Sequence, residues 1–87
     1  MPGDLTAEFQ KNLTDFLRID TDTAFTFLDT ATIEANSDPD HSRRAVQKAR
    51  TALETIRRFL VRVKDPAVHA EIASRADQLE SAIKSFN

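Results

Sequence analysis

From Val46 onward, apolar residues fall at alternating steps of three and four: Val46, Ala49, Leu53, Ile56, Leu60 and Val63. That spacing is one face of a helix with 3.6 residues per turn. Ala45, Ala52 and Phe59 widen the stripe to the band that a core-facing helix needs. A chain built around such a helix has to bury the band against other helices or a sheet. The sheet is disfavoured, because one Gly and three Pro in 87 residues supply too few turn residues for a series of short strands. The expected fold class is all-α.

Two Asp-Pro pairs divide the chain. Asp38-Pro39 and Asp65-Pro66 each read as an N-cap followed by Pro at the first helical position. They predict helices over residues 38–64 and 66–86, the latter carrying Ile72, Ala76, Leu79, Ile83 and Phe86 at helical spacing. Asp38 and Asp40 at the start of the middle helix and Arg62 and Lys64 at its end suit its dipole. The first helix is expected over residues 4–35, capped near Asp4, with Phe9, Leu13, Phe16 and Leu17 on one face and Ala24, Phe27, Leu28, Ala31 and Ala35 continuing it. On a straight helix Asp20 falls in the middle of that face, and residues 19–23 are poor helix formers. One long segment is expected, either with an irregularity at 19–22 or with Asp20 sitting in a polar gap; a complete break there gives four helices. The whole reads as one domain, residues 1–87, folded as an antiparallel three-helix bundle.

Charge is segregated along the chain. Residues 1–40 hold nine acids and two bases, residues 41–64 eight bases and one acid, and residues 65–87 four acids and two bases. Glu8, Asp15, Asp22 and Asp29 recur every seven residues, as do Arg43, Arg50, Arg57 and Lys64. Folding the chain back on itself near Asn36 sets 8 against 64, 15 against 57, 22 against 50 and 29 against 43. The basic stripe flanks the apolar band of its helix. The acidic stripe of a straight first helix lies nearly opposite its own apolar face, where it meets another copy or forms a general field instead. Exposed ion pairs contribute roughly 0–1 kcal/mol each, so such a ladder selects register and partner more than it stabilises.

Several chemistries are excluded or disfavoured. The absence of Cys removes disulfides, thiolate metal sites and Cys nucleophiles. No apolar run approaches the ~18 residues of a membrane span. MPGDLTAEFQ shows neither the basic nor the apolar region of a secretory signal, so a cytoplasmic location is expected. Asn12-Leu13-Thr14 matches a glycosylation sequon that an apolar helical stripe runs through. Asp20-Thr21-Asp22-Thr23 resembles the aspartate motif of haloacid-dehalogenase-type phosphatases and the start of an EF-hand loop. Ala24 occupies the fifth position of both patterns, and Phe25 stands where the EF-hand needs Gly. His41 and His69 start different helices at opposite ends of an up-down bundle, so they do not share a metal. Asp38, His41 and Ser42 make a triad on paper but lack an oxyanion hole. Ala45, Ala49, Ala52 and Leu53 resemble the second helix of a tetratricopeptide repeat, which implies close antiparallel packing; no 34-residue period accompanies them.

What remains points to a non-enzymatic protein–protein interaction module, self-association included, without cofactor or metal. Phe25 and Ile33 are expected to share an outer apolar patch, and Ile19 and Val61 also project from their stripes. With Arg43, Arg50, Arg57, Arg58 and Lys64, Phe25 and Ile33 form the candidate partner-binding set. The alternative is nucleic-acid binding through the basic face of the middle helix. A pI near 5.6 and the lack of Trp and Tyr count against it.

Overall fold

The computed structural model describes the backbone of residues 2–86 and the side chains of residues 6–86. Three helices follow one another: α1, Pro2–Glu34; α2, Pro39–Leu60; and α3, Pro66–Lys84. Every pair of helices is in contact, and no strand occurs among the described residues. The expected all-α three-helix bundle is the fold. The bundle measures 54 × 18 × 16 Å. Its length is that of α1, whose 33 residues span about 50 Å at 1.5 Å per residue.

The hairpin register is fixed at both ends. The Ser42 hydroxyl donates to the Ala31 carbonyl at 2.7 Å near the α1–α2 turn. At the other end the Gln10 amide spans the α2–α3 corner: Nε2 donates to the Arg62 carbonyl at 3.0 Å, and Oε1 accepts from the Lys64 N–H at 2.9 Å. Between them Ala24, Ala31, Ala45 and Ala49 are buried towards the turn, where small side chains let two helices approach closely. Leu13, Leu17, Ile56, Leu60 and Val63 fill the end nearer the corner. Ile72, Ala76, Leu79 and Ile83 complete the core from α3.

Four expectations need correction. α1 does not break at 19–22. Its buried stripe is Leu13, Leu17, Thr21, Ala24, Leu28 and Ala31, which rotates the core face away from Asp20 and onto Thr21. Thr21 is 1% exposed, and its hydroxyl donates to the Leu17 carbonyl at 2.6 Å, so the buried polar group is satisfied inside the helix. α1 begins by Pro2, which puts Asp4 inside it rather than at its cap; the Asp4 side chain lies outside the described residues. α2 stops at Leu60, four residues before Lys64. The chain turns there to bury Val63, with the Arg62 and Val63 N–H groups donating three residues back to Phe59 and Leu60. α3 ends at Lys84 rather than residue 86, with Ser85 as its C-cap.

Both Asp-Pro signals hold. Asp38 accepts from the His41 N–H at 3.1 Å. Asp65 accepts from Ala67 and Val68 at 2.9 and 3.3 Å. Each cap satisfies N–H groups that have no partner within the helix.

Candidate functional site

α3 covers only one of the two grooves that α1 and α2 form. Ion pairs staple it there. Arg18 makes a two-pronged contact to Glu71, both distances 2.9 Å, and Arg75 reaches Asp22 at 2.8 Å. Arg57 of α2 reaches Asp77 and Glu80 at 3.2 and 3.4 Å. The Arg18–Glu71 contact holds the guanidinium above its usual pKa and the carboxyl below its own.

This docking overturns the expected outer patch. Phe25 packs against the core on the α3 side, with the Arg75 guanidinium 5.5 Å from its ring centre. Ile33 is 78% exposed. Val61 (79%) is at the α2–α3 corner.

The second groove, opposite α3, is open. α1 lines it with Phe9, Phe16, Ile19, Asp20, Thr23 and Phe27, a second helical stripe beside the buried one. Phe9, Phe16 and Ile19 are 51%, 45% and 65% exposed. Phe59 of α2 meets Phe16 edge-on, centroids 6.1 Å apart and planes at 86°. Lys48 lies over Phe27 at 5.6 Å and Arg62 over Phe59 at 5.3 Å, both at cation–π distance. The central hollow is bounded by Phe16, Asp20, Phe27, Lys48, Thr51 and Thr55, together with Gln47 and Ala52. Thr51 and Thr55 turn their hydroxyls onto carbonyls of α2 itself, so neither offers a free donor to the groove. Asp20 is the one carboxylate in the hollow, and burial pushes it above its ordinary value. By helical spacing alone Phe9, Phe16 and Phe27 belong to the core face of α1. The signal that spacing lacks is that α1 carries more apolar width than one neighbouring groove can cover.

The eight cations of residues 42–64 divide accordingly. Among the described residues no ion pair joins Asp15 to Arg57: Asp15 pairs with Lys11, and Arg57 with α3. Asp22 likewise takes Arg75 of α3. The hairpin register of the ladder is nearly right, but its acids lie on the wrong side of α1, as the straight-helix geometry implies. Arg43 pairs with Asp40 in its own helix. Arg50 is half-buried, lining a cleft with Val46 and Phe86. Arg44, Arg58 and Lys64 face solvent. The candidate partner-binding set is therefore dispersed over the corner, the α3 seam and the solvent face.

Among the described residues one cluster has metal-ligand chemistry: the donor atoms of Glu34, Asp38 and His41 lie within 4.8 Å of one another. Each group already has a structural use. His41 Nδ1 is 3.1 Å from Glu34, and Asp38 caps α2. The paper triad is absent too, since the Ser42 hydroxyl is buried and committed to Ala31. No helix among the described residues is long and apolar enough to cross a membrane. Compared with protein families, curated proteins and solved structures, the chain finds no match.

Proposed function

We propose that this protein is a non-enzymatic helical interaction module that binds a protein partner through the open α1/α2 groove. The observation that carries the reading is the aromatic row along it. Phe9, Phe16, Phe27 and Phe59 line one side of the bundle, two of them about half exposed, with no α3 residue over the hollow between them. Scattered apolar residues on a surface are ordinary. Four aromatic rings on one side of the bundle, two of them with a cation over the ring, have the composition of a binding surface, because aromatics and Arg supply most interface energy.

A second reading, nucleic-acid binding, draws on Arg44, Arg58 and Lys64, which face solvent on α2 and the corner beyond it. One experiment separates the two. The tagged protein captures partners from native lysate, with and without nuclease, in parallel with Phe16→Ser and with Arg44→Glu/Arg58→Glu. A protein retained in both halves by wild type and lost from Phe16→Ser supports the groove. Retention that vanishes with nuclease and in the Arg variant replaces it with nucleic acid.

A further inference from the structure

We infer that the groove takes an amphipathic helix of a partner protein, acidic along the edge that lies over α2 and carrying one hydrogen-bond donor opposite Asp20. This deepens the groove reading and rests on it.

The helical form follows from shape. The groove runs straight between two antiparallel helices, and Phe9 and Phe27 lie about 27 Å apart along α1 at 1.5 Å per residue. That is the length of about 18 helical residues, and a helix laid there fills the vacant position of a four-helix bundle.

The acidic edge follows from asymmetric charge. Arg44 and Lys48, one turn apart, lie along the groove side of α2 with Arg58 just outside, and Arg62, in the turn just past the end of α2, extends the row over Phe59. Lys48 and Arg62 are held over aromatic rings at the groove wall. The α1 edge carries Asn12, Ile19, Thr23 and Thr30, none of them charged. A docked helix therefore meets cations along one side only, and acids there are complementary. A second copy of this chain fits poorly. Pairing α2 with α2 sets these cations against one another, and pairing α1 with α2 offers them only the uncharged edge.

The donor follows from Asp20. Open to the hollow, its carboxylate keeps some water. A helix across Phe16 and Phe27 removes that water, and a covered carboxylate without a partner is strongly unfavourable. A Lys, Arg, Ser, Thr or Asn at the facing position supplies the missing bond, while an uninterrupted apolar helix is rejected. Asp20 thereby acts as a specificity residue.

The test is selection of a randomised helical-peptide library on the wild-type protein, with counter-selection on Phe16→Ser. Enriched peptides should carry apolar residues at i, i+3, i+4 and i+7, acids along one flank, and a donor at one central position. Their affinity should fall about tenfold or more on Lys48→Glu/Arg62→Glu and weaken with added salt. Repeating the selection on Asp20→Leu should abolish the donor preference. Melting curves of all variants establish that they fold. Basic or uncharged winners, a donor preference unchanged by Asp20→Leu, or the absence of any Phe16-dependent binder overturns the inference. So does sedimentation showing a dimer that Phe16→Ser dissociates, since a second copy then fills the groove. A lysate partner that needs Phe16 but binds without an acidic helix sinks this inference and leaves the groove reading standing. No Phe16-dependent lysate partner together with no Phe16-dependent peptide sinks the groove reading and this inference with it.

Discussion

Single residues carry more of this fold than their types advertise. Gln10 is a polar residue on an exposed stretch of α1, yet its amide satisfies a donor and an acceptor of the α2–α3 corner at once. Gln10→Ala frees both, and we expect a loss of about 1 kcal/mol in urea unfolding, since each bond is solvent-accessible and at the weak end of the usual range. Gln10→Glu keeps the acceptor and loses the donor, so it should fall between. Thr21 is the converse case. Its hydroxyl is buried, but the Leu17 carbonyl it bonds is also the acceptor of an ordinary helical bond from the Thr21 N–H. Thr21→Val therefore strands no partner and buries a methyl in place of a hydroxyl. It should be neutral or stabilising by up to about 1 kcal/mol. Asp20 is held above its ordinary value by burial, so its charged form is a cost in the native state. Asp20→Asn should stabilise the protein at neutral pH. That gain should shrink as pH falls through the native value of Asp20, because the wild-type carboxyl then takes up its proton.

At the scale of the element, α1 is a helix with two apolar faces, and this decides what was legible in the sequence. α2 was readable because the centre of its band is its core face: Ala45, Val46, Ala49, Ala52, Ile56 and Leu60 are all buried, with Leu53 and Phe59 partly buried at the band's edges. The Asp-Pro caps were readable because the cap is local chemistry. α1 was misread because periodicity reports that a face is apolar and not which neighbour covers it. Phe9, Phe16 and Phe27 on one flank and Leu13, Leu17 and Leu28 beside them merge into one wide stripe centred on Asp20. Only the position of α3 separates them. The same ignorance sent Phe25 to an imagined outer patch. The two phenylalanines should now respond oppositely. Phe25→Ser removes packing in the α3 seam and should cost about 2 kcal/mol of stability. Phe16→Ser, at a half-exposed ring, should cost less and instead remove binding at the groove. Thermal melts alongside capture give both readouts. Equal loss of stability with no loss of binding from Phe16→Ser would return that ring to a purely structural role.

For the whole molecule, the question is why α3 chooses one groove and leaves the other. Its apolar stripe of Ile72, Ala76, Leu79 and Ile83 has no obvious preference between them, since both are edged by aromatics of α1. Charge discriminates. On the occupied side Arg18, Asp22 and Arg57 meet Glu71, Arg75, Asp77 and Glu80 with opposite signs. On the open side the cations Lys48 and Arg62 are paired with rings rather than acids. These exposed pairs add little to stability individually; their effect is to select one side over the other, and that selection keeps the aromatic groove free. Selection by charge has a pH signature. The Glu71 carboxyl is held below its ordinary value of 4.5 by Arg18, so its contribution is present above that value and is lost as pH falls through the native one. Glu71→Gln should therefore melt below wild type at pH 7, with the gap closing in acid and narrowing in high salt. Asp20→Asn should melt above wild type at pH 7 and converge on it in acid from the other side. Melting both variants with wild type across one pH series reads the two effects together. If Glu71→Gln instead tracks wild type at every pH, the ion pairs do not select the α3 groove, and its occupancy has to come from the shape of the core alone.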